Sequence, residues 1–284
     1  MSNLTSRPGA PATELLRNLY RARAFERASG GEPEAHDLVA PVAAALALRG
    51  APRPDVLTLA GGASGAALAR GLPARDLARY LAADLPAFPT DHEVPGLGHV
   101  GLMHPTYHSL GLVAPVASGG VSISVAAGIA LAFALRGEGR VAVAVDRSSV
   151  TDSGGWHEGL NLAAARGAPL VVLLLDDASR RRRPPIGRRG VAYGVKAERI
   201  EEGSAEGIAH RIGKIVAAAR ETPGAWLVEV ARGTDDAVTE LEARLVQGTV
   251  SGIEPVEPET LAAWAAEAAE EAAEAWAGIT KEAA

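Results

Sequence analysis

Two apolar runs end in carboxylates. "VAVAVD" (141–146) closes on Asp146, and "PLVVLLLDD" (169–177) closes on Asp176-Asp177. Small and polar residues follow Asp146, and an amphipathic helix begins near Trp156. That strand–turn–helix order often lays phosphates on the carboxyl edge of a parallel sheet. The turn itself reads Arg147-Ser148-Ser149, where a phosphate or metal site wants glycine and a carboxylate. The same aspartates also suit a plainer role as solvated strand ends and helix caps.

Three other stretches carry chemistry-bearing residues. Residues 86–120 are rich in Gly and Pro and hold four of the seven histidines, at 92, 99, 104 and 108. A loop of that length is usually functional or inherited from function. "GGASG" (61–65) lies between a strand and a helix, but lacks the full G-x-G-x-x-G pattern and any Lys. "RRRRPPIGRR" (180–189) is the densest charge run. It reads either as a solvated loop of mutually repelling cations or as a contact for an anion or partner. His157-Glu158 at a helix start suggests acid–base chemistry, although packing explains it as well.

The elements that must position these residues alternate. Helices are expected at 13–30, 36–50 and about 64–84, with a short strand at 55–60. From Val121 the order is a helix to Arg136, a strand 140–146, a helix 156–166 and a strand 169–177. A strand near 197–200, a helix 204–220 and a strand 225–231 follow. Strands apolar throughout and alternating with helices predict an α/β fold with a central parallel sheet covered on both faces. The divisions expected are a flexible start (1–12), a main domain (13–250) and a C-terminal Ala/Glu helix (251–284).

Composition narrows the function classes. With 48% hydrophobic residues but only 4% aromatic ones, the core must be built from Ala, Leu, Val and Gly. The chain has no cysteine, so disulfides and thiolate metal sites are excluded. A net charge of −6 argues against a nucleic-acid binder. No stretch reaches the length of apolar residues that spans a bilayer, and the first 13 residues lack a signal-peptide apolar region. A cytoplasmic protein without a membrane segment is the expectation.

In order, these features resemble the α subunit of the thiamine-diphosphate-dependent E1 component of 2-oxoacid dehydrogenase complexes. The resemblance covers nearly the whole chain. "ELLRNLYRARAFERA" is similar to the family's first helix, "GAALARGLPARDLARYLA" to its Ala-Leu-Ala-Arg-Gly helix, and "GLMH" to its Gly-Ser-Met-His turn. "HEGLNLAAARGAPLVVLLLDD" resembles its His-Glu-Ala-Leu-Asn helix with the following strand, and "AYGVKAERIEEGS" its Ala-Tyr-Gly-Ile segment. The resemblance implies a thiamine-diphosphate-binding-type fold, with thiamine diphosphate and Mg²⁺ as cofactors.

The same resemblance marks where the chain departs from its pattern. Aligned on His157-Glu158, Arg147-Ser148-Ser149 fall on the family's Gly-Asp-Gly, and Asp176-Asp177 on its Asn-Asn pair. Asp177 follows Ser148 by 29 residues, so the spacing is kept while the ligand types change. Ser148, Ser149, Asp177 and Ser179 are the cofactor-site positions so implied, with Asp177 and Asp146 as candidate metal ligands. The family's diphosphate-gripping Tyr-Arg pair and the two histidines after it fall on Gly61-Gly62, Ser64 and Ala66. "ARGTDDAVTELEARL" keeps Asp235-Asp236 without the family's active-site histidine. His104 survives on the Met-His turn as the one candidate catalytic residue.

Two functions follow. In the first, the protein is a cofactor-deficient E1 α-like subunit that acts by assembly, with an E1 β-type subunit or with itself. The all-round apolar helix from Val121 is its expected interface. In the second, it is a working α subunit in oxidative decarboxylation of a 2-oxoacid, with acyl transfer to a lipoyl carrier.

Overall fold

The structure is a computed structural model that describes residues 11–31, 35–59, 64–82, 106–113, 120–176, 186–201, 203–231, 236–277 and 279. Its strands are β1 (Val56–Leu59), β2 (Thr106–Tyr107), β3 (Leu112–Val113), β4 (Ala142–Arg147), β5 (Leu170–Leu175), β6 (Lys196–Ile200) and β7 (Trp226–Val230). They form one seven-stranded sheet in the order β2-β3-β1-β4-β5-β7-β6. Every neighbouring pair is parallel except β2–β3. The expected parallel α/β sheet is therefore present, with an antiparallel edge that lies inside the stretch read from sequence as loop.

The helices are α1 (Ala12–Ala28), α2 (Ala35–Ala47), α3 (Ser64–Ala69), α4 (Ala74–Leu81), α5 (Val121–Leu135), α6 (Gly154–Ala165), α7 (Gly187–Ala192), α8 (Ala205–Glu221), α9 (Ala237–Val246) and α10 (Pro258–Trp276). Side chains alternate across a strand, and the sheet divides its core accordingly. Val141, Val143 and Val145 face the layer that holds α1 to α4 and α8 to α10. Ala142 and Ala144 face α5, α6 and α7. On α1 the fully buried Leu15, Leu16 and Leu19 each contribute about 1.5–3 kcal/mol of hydrophobic stabilisation. Arg21 of α1 pairs with Glu271 at 2.7 Å and Arg17 stacks on Trp264, so the C-terminal helix α10 lies along α1.

Alanine and glycine let α5 and α6 cross closely. A Cβ on Gly159 would stand 2.8 Å from the backbone nitrogen of Ser124, and one on Gly120 would stand 2.3 Å from Ser153 Oγ. Gly120 also has φ 84°, a conformation glycine adopts readily. The two helix N-termini are thereby brought together at the carboxyl edge of the sheet. Within α5, Ile123, Ala126, Ala127 and Ala130 are buried in the core on one face of the sheet. Its far side is open, with Gly128 exposed and Leu135 80% exposed.

Three sequence expectations change in detail. The end of the basic run 180–189, read as loop, opens helix α7 at Gly187, and α9 forms where no helix was foreseen. The strands are not apolar throughout: Thr58 in β1 and Glu229 in β7 are buried polar residues.

Candidate functional site

From β1 the chain moves outward to β3, whereas β4 leads the other way to β5. The crevice at the carboxyl ends of β1 and β4 is thus the topological switch point, where open α/β sheets take their ligands. The element after β1 is α3. After β4 comes a 3₁₀ turn, Ser148–Asp152, and then α6. The positions singled out from sequence after these strands, at 61–62 and 147–149, therefore follow the two strands that flank this crevice.

The first turn of α5 sits in the crevice, held from both strands. Thr58 Oγ1 of β1 donates to Ser122 O at 3.1 Å. Asp146 of β4 accepts from Ser122 Oγ at 2.7 Å and from Gly120 N at 3.3 Å, both through Oδ2. Its Oδ1 accepts from Arg147 N at 2.8 Å. With Asp146 only 4% exposed, all three donors converge on a carboxylate almost shut off from water.

Ser148 is fully buried, whereas Ser149 next to it is exposed. The turn closes on itself: Thr151 Oγ1 donates to Ser148 O at 2.9 Å and Ser153 Oγ to Val150 O at 2.7 Å. Ser153 also caps α6, accepting from Trp156 N. Arg189 of α7 reaches over to Thr151 O at 3.0 Å and Asp152 at 3.5 Å, tying α7 to this turn. Asp177, Ser179, His104, Gly61-Gly62, Asp235 and the arginines at 180–183 lie outside the described residues.

The remaining candidates have structural duties. Asp236 caps α9, accepting from Val238 N at 3.1 Å, and pairs with Arg23 at 2.5 Å. Burial opposes its charge, but Thr239 and Arg23 hold its carboxyl below the usual range. His157 bonds through Nδ1 to the hydroxyl of Tyr193 and lies edge-on to Trp156, joining α6 to the end of α7. Glu158 is exposed.

A second polar centre was not foreseen. Glu229 in β7 accepts from Ile186 N at 3.1 Å and pairs with Arg199 of β6 at 2.8 Å. Arg199 also meets Glu201 at 2.8 Å and Asp176 at 3.8 Å. Burial works against the Arg199 charge, yet Glu229 and Glu201 outweigh it and raise its pKa above the ordinary range. The sequence signal was one polar residue in the middle of each apolar run, Thr58 in "VLTL" and Glu229 in "WLVEV".

A metal–diphosphate site of the implied kind needs hard oxygen ligands facing the turn. Among the described residues no group of three His, Asp or Glu could hold a metal ion. At the aligned ligand position stands the buried Ser148, and the nearby Asp146 has both oxygens engaged. The described donor set does not fit Mg²⁺ with a diphosphate.

No protein-family model matches the sequence. Among solved structures, the chain is similar to transketolase of Pichia stipitis. A mutant of that enzyme in complex with xylulose 5-phosphate gives a TM-score of 0.56 at 18% identity, covering 93% of this chain and 44% of that one. The complex with sedoheptulose 7-phosphate gives 0.55 at 17%, with the same coverage of 93% and 44%. The chain thus spans less than half the length of the transketolases it matches. The likeness shows the fold alone, the α/β type of transketolase. No helix among the described residues is long and apolar enough to cross a membrane.

Proposed function

We propose that this chain is an E1 α-like subunit of the 2-oxoacid dehydrogenase kind that has lost autonomous binding of thiamine diphosphate with Mg²⁺. It acts by assembly, with a β-type subunit or with a second copy of itself. The observation that carries this reading is the state of the switch point. Its carboxylate, Asp146, is turned inward onto the first turn of α5 and is 4% exposed. A buried, fully hydrogen-bonded carboxylate is a costly ligand to recruit, because its three donors would lose their partner.

The open side of α5 supports the assembly part. A surface helix normally shows a polar outer face. The outer side of α5 instead exposes Gly128 and Leu135 beside the half-buried Val125 and Ala132, and Leu162 of α6 is 40% exposed. The protein is expected in the cytoplasm, in keeping with its lack of cysteine.

The alternative, a working α subunit, is favoured by the convergence of the α5 and α6 N-termini, which leaves partial positive charge at the edge of the crevice. The deciding experiment is 2-oxoacid decarboxylation with an artificial electron acceptor, with and without a β-type partner. The proposal predicts no turnover in either case. Turnover at rates typical of enzymes, about 1–10³ s⁻¹, supports the alternative and rejects the proposal.

A further inference from the structure

We propose that Asp146 is a built-in anion, its carboxylate filling at the first turn of α5 the place where such a crevice otherwise receives a ligand's phosphate. The inference rests on the reading of this chain as one without diphosphate affinity of its own, and it names the contact responsible.

A helix start leaves backbone N–H groups without intrahelical partners and carries partial positive charge. Most helices meet this with a capping side chain at the N-cap. Here that residue is Gly120, which has no side chain, and no local side chain caps the helix. Ser122 cannot serve, since its hydroxyl donates to Asp146 rather than accepting from the helix. The missing anion comes from 26 residues away, from the last part of β4, as Asp146 Oδ2 reaches Gly120 N at 3.3 Å. Thr58 fixes the same turn from β1. The carboxylate, carried on β4, therefore meets a helix turn that β1 holds as well.

Two consequences follow for an anionic ligand. The N–H of Gly120 and the hydroxyl of Ser122 are already used. Any phosphate brought to the crevice also meets a like charge that is buried and poorly screened, which lowers affinity by roughly a hundredfold at about 5 Å separation. Next to the buried carboxylate, the turn Ser148–Asp152 satisfies two of its own carbonyls with Thr151 and Ser153 hydroxyls. These described donors and acceptors at the switch point are thus engaged with one another.

The test compares the full chain with Asp146→Asn and Asp146→Ala, using inorganic pyrophosphate with magnesium as the probe at constant ionic strength. Asn keeps the shape and one acceptor but removes the charge, and Ala removes the group. The wild-type unfolding midpoint should follow a chloride control. Both variants should unfold at lower temperature, and pyrophosphate should raise their midpoints saturably, with affinity at least tenfold above wild type. If the Ala variant does not fold, the Asn variant decides. Variants that respond no differently from wild type overturn the inference, whether all bind or none does. Micromolar binding of thiamine diphosphate by the wild type would instead reject the functional reading, so the two failures are told apart.

Discussion

Arg199 and Glu229 are register partners on β6 and β7, and their side chains meet at 2.8 Å with the carboxylate 5% exposed. Through this pair the departure of the chain from β5 at Asp176 and its return at Ile186 are tied to one point. The segment between, 177–185, holds Asp177, Ser179 and four arginines, so the pair fixes both ends of the most cationic part of the molecule.

Breaking the pair should therefore cost more than a surface ion pair. Arg199→Met strands a buried carboxylate and should lower unfolding stability by about 3 kcal/mol, the low end for a buried pair because Arg199 keeps 31% of its side chain exposed. The double variant Arg199→Met/Glu229→Met should recover most of that loss. Urea unfolding of both variants measures it, and equal stability of single and double variants would contradict the assignment.

Two glycines on the crossing pair of helices should respond with opposite signs. Gly159→Ala sets a Cβ 2.8 Å from the Ser124 backbone and should destabilise by about 1–3 kcal/mol through overpacking. A Cβ at Gly128 would meet nothing within 4 Å, so Gly128→Ala should stabilise by about 1 kcal/mol from helix propensity. Urea unfolding midpoints compare the two.

The same open face gives a test of assembly. Light scattering at micromolar concentration should show a dimer or larger species, and Gly128→Arg, which sets a charge amid the exposed apolar side of α5, should shift it to monomer. A monomeric wild type would remove α5 as an interface.

Acid should loosen the C-terminal helix. The hydrogen bond from Arg21 holds the Glu271 carboxyl below its usual range, against partial burial. A depressed carboxyl pKa adds stability that is present above the unfolded value, about 4.3 for Glu, and is lost as pH falls through the folded value. Stability measured from pH 6 down to pH 3 should decline less in Glu271→Gln than in wild type. Parallel declines would show that the Arg21–Glu271 contact adds nothing.

The sheet was legible because its strands carry long apolar runs, and "VAVAVD" and "PLVVLLLD" pair in register as β4 and β5. The short strands β2 and β3 were not, since two residues each are too short for any periodicity to show. The carboxyl-edge location followed from strand–turn–helix order, yet the switch point and the inward turn of Asp146 did not. Its partners Gly120, Ser122 and Thr58 are remote in sequence, and only the crossing of α5 over β1 and β4 brings them together. Glu229 and Thr58 did leave a trace, as single polar residues in apolar strands, which a buried strand tolerates only with a partner.

The central claim, loss of autonomous cofactor binding at a switch point whose carboxylate is turned inward, is tested most directly by calorimetric titration of thiamine diphosphate with Mg²⁺ into the full, unmodified chain. The account predicts no saturable heat up to concentrations of several hundred micromolar, on the order of 10³ weaker than a submicromolar site, or about 4 kcal/mol of binding free energy. A micromolar dissociation constant would contradict it.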